Sequence, residues 1–494
     1  MDMTRSSGVL LHVTSLPGPD GIGDLGPAAF QWVDRLAATG CHYWQILPLG
    51  PTGYGDSPYQ CFSAFAGNPY MIASQHLLDE GLLVASDLGD RPQFSHHHVD
   101  YGRVISWKLD LLDRAFDRFV PNDDYLAFRR SEAGWLDDLA LFMALKDQYG
   151  GRPWVDWPAP LRDRDPGQLE RALDAYRVEV ERHAFRQWLF HEQWEAVRRH
   201  THERGLLVIG DTPIFVAHDS ADVWAHRELF FLDDEGRPTV VAGVPPDYFS
   251  PTGQLWGNPL YDWDRHRHTG YEWWLGRLRS VLAQVDMVRL DHFRGFAGYW
   301  EIPADAETAI AGRWVPGPGA DFLQHVRAVM GDLPIIAEDL GEITPDVHEL
   351  RDRFELPGMA IVQFAFDSDL TNPFLPHNLR DRSVVYTGTH DNDTTRGWWA
   401  TAPEHERRLA MDYLGVDGTD IAWDLIRAAW RSPAAVSVAP LQDILDLGTE
   451  ARMNFPSRPA GNWRWRVDSP ALPDPLVERL ASLNAESGRL VGAG

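Results

Sequence analysis

The segment MVRLDHFRG at residues 287–295 is the most informative stretch of this 494-residue chain. It is an apolar, strand-like run that closes on a carboxylate, Asp291. Two more segments, PIIAEDLG at 334–341 and VVYTGTHDND at 384–393, have the same design. Chemistry at a glycosidic bond needs at least two carboxyl groups, one to protonate the leaving oxygen and one to attack or stabilise the anomeric carbon. The three segments are therefore candidates for one site of this kind.

Short apolar runs rich in β-branched residues recur along the whole chain. Their hydrophobicity is nearly continuous rather than alternating, which is typical of strands buried on both faces of a parallel sheet. Helix-like segments lie between several of them, such as PAAFQWVDRLAATG at 27–40. The pattern predicts an α/β fold, a (β/α)8 TIM barrel, with its eight strands at 8–15, 43–50, 206–213, 287–293, 334–341, 359–366, 384–390 and 435–442.

The gaps between these runs are uneven, which predicts insertions into a single catalytic barrel spanning residues 1–494. Residues 51–205, between the second and third strands of the barrel, should form a helix-rich insertion, because helical apolar periodicity marks 104–119, 125–149 and 168–205. Residues 230–286 form a second predicted insertion, between the third and fourth strands. Its run VAGVPPDYFSPTGQLWGNPLYDW is rich in proline, glycine and aromatic residues and indicates an ordered loop.

The composition restricts the class of partner. The 45 basic and 72 acidic residues give a net charge of −27, which disfavours nucleic acids and anionic membranes and suits a neutral or cationic ligand, a class that includes neutral sugars. Two cysteines in 494 residues do not indicate a disulfide framework. The N-terminal apolar run is too short for a signal peptide, and no stretch reaches the roughly 20 apolar residues of a membrane span. We expect a cytoplasmic protein, either a monomer or a small homo-oligomer.

Four acids lie where predicted strands end: Asp211, Asp291, Glu338 and Asp391. In a barrel of this type the C-terminal ends of the strands form the catalytic face. The alternative for each acid alone is a helix N-cap or a loop salt bridge, because strand-to-helix turns favour aspartate. Four acids at equivalent positions favour a common site. The spacing does not decide whether Glu338 or its neighbour Asp339 faces that site.

Arg289 lies two residues before Asp291, so both side chains should point to the same side of the strand. A guanidinium beside a carboxylate favours the ionised form, as a nucleophile requires. A general acid needs a raised pKa, which burial and a neighbouring carboxylate could give Glu338. His390, next to Asp391, could donate to sugar hydroxyls, or it could be satisfied by the backbone.

Neither a metal site nor a cofactor site is indicated. The cluster HHH at 96–98 lacks the cysteine or HExxH partner of a zinc site and resembles a solvated turn. The stretch GPG at 317–319 does not follow a strand in the manner of a phosphate-binding loop. We therefore expect no metal and no cofactor.

Beyond these single positions, the chain resembles the amylomaltases, bacterial 4-α-glucanotransferases of the α-amylase superfamily, almost end to end. The motifs that carry the resemblance include SGVLLHVTSLPG, WQILPLGPTGYGDSPYQ, GDTPIFVAHDSADVWA, VRLDHFRGF, GRWVPGPG, AEDLG, TGTHDNDT and RMNFP. The resemblance implies a (β/α)8 barrel and a retaining transfer of a glucan segment from an α-1,4-glucan donor to the 4-hydroxyl of glucose or a maltooligosaccharide. It also implies roles for single residues: Asp291 as nucleophile, Glu338 as acid/base and Asp391 as stabiliser of the transition state.

The resemblance further implies a set of substrate-binding residues. Arg289 and His390 match residues that line the donor subsite, and Asp211 matches an acid of the third strand. The remaining matches lie in loops around the site: Ser57, Tyr59, Tyr248, Phe249, Gln254, Trp256 and Asn462. Two alternatives stay open at this point, a hydrolase of the α-amylase type with the same three acids and a non-catalytic glucan-binding protein.

Overall fold

The structure is a computed structural model that describes residues 3–246, 250–341, 343–456 and 458–491. Its strands, numbered in chain order, are β1 (Ser6–Leu10), β2 (Tyr43–Gln45), β3 (Leu207–Pro213), β4 (Val240–Val244), β5 (Gln254–Pro259), β6 (Met287–Asp291), β7 (Gly298–Pro303), β8 (Arg313–Pro316), β9 (Ile335–Ala337), β10 (Gly358–Ile361), β11 (Ser383–Tyr386) and β12 (Val436–Pro440).

Eight of these strands form one parallel sheet in the order β10-β11-β12-β1-β2-β3-β6-β9. Each coincides with one of the eight apolar runs, so the predicted barrel is confirmed. The strands are buried almost throughout, as their unbroken hydrophobicity predicted. The two end strands of the sheet, β9 and β10, approach each other, and the Ala337 amide donates to the Pro357 carbonyl over 2.9 Å. The sheet is thereby nearly closed into a barrel.

The α-helices of the described residues, in chain order, are α1 (Pro27–Ala38), α2 (Ser74–Asp79), α3 (Tyr101–Phe116), α4 (Asp123–Ser131), α5 (Ala133–Gln148), α6 (Ala159–Arg162), α7 (Pro166–Ala175), α8 (Arg177–Glu203), α9 (Ala221–Ala225), α10 (Trp263–His268), α11 (Glu272–Gln284), α12 (Arg294–Ala297), α13 (Gly319–Met330), α14 (Pro345–Arg353), α15 (Thr395–Thr401), α16 (Glu404–Leu414), α17 (Ile421–Arg431), α18 (Leu441–Ile444) and α19 (Asp474–Glu486).

Helices α2 to α8 lie between β2 and β3. The periodic segment 125–149 is divided into α4 and α5 at Glu132, and the segment 168–205 into α7 and α8 at Tyr176. A break of one residue leaves the apolar periodicity almost unchanged, so the sequence pattern did not reveal it. The last of these helices, α8, packs against both α1 and β3 and thus returns the chain to the barrel.

The segment predicted as an ordered loop instead contains strands. β4 and β5 pair antiparallel and join β7 and β8 in a second sheet of order β5-β4-β7-β8. Proline and glycine in this stretch had indicated a loop, but these residues lie at the strand ends and at a register shift between Val241 and Gly243. This small sheet adjoins the carboxyl end of β6, where Asp291 ends the strand.

Candidate active site

Arg289 is at the centre of the site and binds two carboxylates. Its Nη1 atom lies 2.8 Å from Asp291 Oδ1 and 2.8 Å from Asp211 Oδ2. Arg289 and Asp291 therefore share one side of β6, as their spacing predicted. Arg289 is 3% exposed, so solvent screens these ion pairs only weakly. The ion pair with Arg289 fixes the position of the Asp291 carboxylate at the barrel mouth.

Asp211 is enclosed behind Arg289 and Tyr59. Burial raises the pKa of this carboxyl to about 6, although the charge of Arg289 opposes the shift. The Tyr59 hydroxyl donates to Asp211 Oδ2 over 3.0 Å. With a side chain that is 0% exposed, Asp211 contacts other residues of the site instead of facing the cleft. A direct contact between Asp211 and sugar stays a prediction.

Glu338 follows β9 directly, and its carboxylate accepts two backbone hydrogen bonds. The His292 amide donates to Oε2 over 2.8 Å, and the Leu340 amide donates to Oε1 over 2.9 Å. Burial raises the pKa of Glu338 to about 7, the charge of Asp291 adds to this, and Arg289 and the two amides oppose it. A carboxyl group with this pKa is protonated in a large fraction of molecules near neutral pH, as a general acid requires.

Asp339 points away from Glu338 and connects two barrel strands. Its carboxylate forms an ion pair with Arg351, and Oδ1 accepts a hydrogen bond from the Met359 amide over 2.8 Å. This bond ties the end of β9 to β10, where the barrel closes. Glu338 lines the cleft, so the choice left open by the sequence is decided geometrically in favour of Glu338.

We expect Asp339→Asn to lower the free energy of unfolding by about 3 kcal/mol, because it removes one partner of a buried ion pair. The bound Met359 amide can still find an acceptor in the asparagine, so the barrel should still close. Chemical denaturation would measure the loss, and transfer assays should show an almost unchanged kcat. A kcat reduced by orders of magnitude in a stably folded Asp339→Asn protein would contradict the structural role.

His390 and Asp391 lie in the loop after β11, four and five residues beyond the end of the strand. Asp391 Oδ1 accepts a hydrogen bond from Asn454 Nδ2 over 2.6 Å, and His390 Nε2 lies 3.4 Å from Asp391 Oδ2. Arg452 Nη2 donates to the Asp391 carbonyl oxygen over 2.6 Å. The C-terminal segment thus fixes the third acid in the cleft.

Aromatic rings pack against His390, the neighbour of this acid in the chain. The Tyr59 ring stacks on the His390 ring at 5.2 Å between centroids and an interplanar angle of 20°. Trp463 contacts both rings, at 5.6 Å and 5.8 Å. Ser57 Oγ accepts a hydrogen bond from the Tyr59 amide over 3.2 Å. The stack connects the loop after β2, the loop after β11 and the C-terminal segment.

The other predicted substrate-binding residues are distributed around the cleft. Gln254 and Trp256 lie two residues apart on β5 and both line the cleft. Asn462 also lines it, but its amide is bound within its own loop, where Oδ1 accepts from the Phe455 amide over 3.0 Å. Tyr248 and Phe249 lie outside the described residues.

Two contacts were not anticipated from the sequence. His292 has a left-handed backbone conformation with φ 55°, which is uncommon for a residue with a Cβ atom. Its amide reaches Glu338 while its ring packs edge-on against Trp256 at 4.8 Å. Asn454 was the second unrecognised residue. Both belong to motifs quoted above, VRLDHFRGF and RMNFP, but a backbone amide and a long-range partner have no local sequence signature.

The site opens into a cleft of about 550 Å³ on the carboxyl-terminal side of the barrel. Among the residues that the structure describes, no group of three or more histidine, cysteine, aspartate and glutamate side chains could hold a metal ion. No helix in the described part of the chain has the length and apolar character needed to cross a membrane. Three carboxyl groups, those of Asp291, Glu338 and Asp391, line the cleft on this rim.

Comparison with known proteins agrees with this geometry. A sequence model described as 4-alpha-glucanotransferase matches residues 11–471. The 4-alpha-glucanotransferase of Thermus thermophilus is 53% identical over 481 residues, covering 94% of this chain and 95% of that protein. The 4-alpha-glucanotransferase of Synechocystis sp. is 48% identical over 497 residues, covering 99% and 98%. The solved structure of the amylomaltase from Streptococcus agalactiae in complex with acarbose superposes with a TM-score of 0.95 at 36% identity, covering 98% of this chain and 99% of that one.

The barrel and the acids at its carboxyl-terminal rim define the class, which is an enzyme of the glycosidic bond built on a (β/α)8 barrel. The matches make the assignment specific. The chain belongs to the 4-alpha-glucanotransferase family, glycoside hydrolase family 77. The resemblance that the motifs indicated is confirmed, and the protein is a 4-α-glucanotransferase.

Proposed function

We propose that this enzyme transfers segments of an α-1,4-glucan by a double displacement in which Asp291 is the nucleophile and Glu338 the acid/base. The observation that carries the proposal is the pairing of two unlike carboxyl groups around Arg289. Asp291 is bound directly by the guanidinium, whereas burial raises the pKa of Glu338 to about 7. Two carboxyl groups in opposite environments are suited to opposite roles.

In the first step the Glu338 proton moves to the glycosidic oxygen as that oxygen leaves the anomeric carbon. One Asp291 oxygen attacks the same carbon from the opposite face, which gives a covalent glycosyl enzyme. In the second step the 4-hydroxyl of the acceptor loses its proton to Glu338 and attacks the anomeric carbon, which releases Asp291. Two inversions give net retention, and Glu338 returns to its protonated state.

Neighbouring residues support these two steps. Arg289 holds the Asp291 carboxylate in an ion pair of 2.8 Å. Asp391, which accepts a hydrogen bond from Asn454, would accept hydrogen bonds from sugar hydroxyls and stabilise positive charge at the anomeric carbon. Ser57, Tyr59 and His390 would contact the donor sugar. Gln254, Trp256 and Asn462 would guide the glucan along the cleft.

The donor is proposed to be an α-1,4-glucan and the acceptor glucose or a maltooligosaccharide. The net charge of −27 is compatible with such neutral partners and disfavours nucleic acid. We further propose that the enzyme works in the cytoplasm as a monomer or small homo-oligomer. The segments 51–205 and 230–286 are proposed as insertions into one barrel, the second of which carries the strand that guides the glucan.

Incubation with maltotriose tests the proposed reaction directly. Transfer should produce glucose and a ladder of longer oligosaccharides at a constant number of reducing ends. An α-amylase-type hydrolase would instead increase the number of reducing ends, because water would intercept the glycosyl enzyme. Steady accumulation of reducing ends without longer products would refute transfer.

The pH dependence follows from the state of Glu338. Because the first step needs its protonated form, kcat/KM for maltotriose should fall as the pH rises through about 7, by about tenfold per pH unit on the basic side. A pH profile of initial transfer rates would measure this. With an α-glucosyl fluoride donor, the fluoride leaves without a proton. The rate of glycosylation should then no longer fall as the pH rises above about 7, so the basic limb of the pH profile should disappear. An identical basic limb for both donors would contradict the assignment of Glu338.

A further inference from the structure

We propose that Trp314 and its neighbours on the small β-sheet form a second binding surface for long α-1,4-glucan chains, outside the catalytic cleft. The sheet has two edges: β5, which carries the cleft residues Gln254 and Trp256, and β8, which carries Trp314. Trp314 belongs to the motif GRWVPGPG, which none of the roles assigned above uses. The inference rests on the glucan substrate of the proposed function.

The sheet register aligns the side chains of Leu255, Trp300 and Trp314 in one row, to which Gly243 contributes backbone alone. Leu255 pairs with Gly243, Gly243 with Trp300, and Trp300 with Trp314. Directly opposed residues of antiparallel strands lie on the same face, so this row crosses all four strands over about 14 Å. Gln254 and Trp256 flank Leu255 on β5 and point to the other face, toward the cleft. A chain that leaves the cleft over β5 thus reaches the row at Leu255.

The row is exposed at both ends. Leu255 and Trp314 are each 42% exposed, and Ile310, in the loop that covers the middle of the row, is 58% exposed. Exposed apolar side chains are common singly, whereas these three belong to one four-stranded sheet and to the loop packed on it, and apolar groups gathered in this way are a feature of binding surfaces.

The Trp314 ring is held rigidly. The Arg294 guanidinium lies 3.9 Å from its ring centroid, and the Trp300 ring packs against it at 5.2 Å and 69°. Trp300 is fixed in turn, because its indole N–H donates to the Ala309 carbonyl over 2.8 Å. An indole that is already immobilised loses little conformational entropy when a ligand stacks on it.

These features favour a sugar over a protein as the occupant. A standard protein interface uses about 20 to 30 residues on each side, far more than this short row. The flat C–H face of a pyranose ring fits a single exposed indole, and a polymer can use several such contacts in a line. Arg294 also lies three residues after Asp291, so the proposed binding surface around Trp314 adjoins the turn that follows the nucleophile.

The test compares a long donor with a short one in the full-length enzyme. For Trp314→Ala we expect the KM for amylose to rise about fivefold with kcat unchanged, in line with the loss of one aromatic stacking contact. Maltotriose is too short to reach from the catalytic cleft to Trp314, so the kcat/KM of this variant for maltotriose should stay within twofold of the wild-type value. Trp314→Phe should recover part of the affinity for amylose. Val120→Ala, at a site 78% exposed in the helical insertion, is the matched control. It should change neither the KM for amylose nor the kcat/KM for maltotriose.

A second variant protects the test against misfolding. Leu255→Ala removes an exposed side chain from the other end of the row and should raise the KM for amylose in the same direction. Unchanged KM values for amylose in both variants would overturn the proposal. An equal decrease in kcat/KM for amylose and for maltotriose would also overturn it. A change in molecular mass on gel filtration with an unchanged KM for amylose would overturn it in favour of self-association. Absence of maltotriose disproportionation in the wild type would instead refute the proposed function.

Discussion

Asp291→Asn is expected to lower kcat for transfer by about 10⁴-fold or more, the largest effect of any single substitution in this chain. The asparagine side chain has nearly the same shape and can still lie against Arg289, but its amide is too weak a nucleophile to attack the anomeric carbon. Binding of maltooligosaccharide should remain measurable, because ground-state contacts in the cleft are retained. Initial rates with maltotriose and calorimetric titration of the variant would measure the two quantities.

The matched control lies at the opposite end of the same strand. Asp286 precedes β6 at the N-terminal side of the barrel, where it contacts His202 and Arg198. In this fold that face contributes to stability and not to chemistry. Asp286→Asn should therefore keep kcat within about twofold. An Asp291→Asn enzyme that retained more than a tenth of wild-type kcat would exclude Asp291 as nucleophile.

Glu338→Gln is expected to lower kcat/KM for maltotriose by about 10²- to 10⁴-fold, the usual contribution of a general acid. Glutamine can still accept a backbone hydrogen bond, so the local structure should persist. With α-glucosyl fluoride as donor the glycosylation step should be far less impaired, because the leaving fluoride needs no proton. Stopped-flow release of fluoride would separate this step from turnover.

In Glu338→Gln, the decrease in kcat/KM for maltotriose should therefore exceed the decrease in the rate of glycosylation by α-glucosyl fluoride by a large factor. Equal losses on the two donors would indicate that Glu338 does not supply the proton to the leaving oxygen. The adjacent Asp339→Asn variant completes the comparison. It should lower the free energy of unfolding but leave the activity on both donors close to that of the wild type.

Much of this architecture could be predicted from the sequence, because its main signal is burial. All eight barrel strands are enclosed on both faces, and this leaves continuous apolar runs that can be recognised one at a time. The spacing of Arg289 and Asp291 also sufficed to predict that their side chains lie next to each other, because residues two apart on a strand share a face. Both inferences depend only on local geometry.

The features that escaped prediction depend on the rest of the chain. Glu338 and Asp339 are neighbours of similar chemistry, and only Arg351 and the Met359 amide reveal that Asp339 belongs to the barrel wall. The strands β4 and β5 are short and bounded by proline and glycine, so the pairing of β4 with β5 and with β7 outweighs their local composition. The His292 amide binds Glu338 through the backbone, and no side-chain pattern records it.

The central claim is that a glycosyl group is carried on Asp291, and trapping that intermediate tests it most directly. In the Glu338→Gln enzyme, α-glucosyl fluoride should still glycosylate the nucleophile, whereas deglycosylation, which needs a general base, is slowed. Mass spectrometry of the intact protein should then show the added mass of one glucosyl group, and peptide mapping should place it on Asp291. An adduct on Asp391 or on another residue, or turnover of the fluoride with inversion and no adduct, would contradict the account.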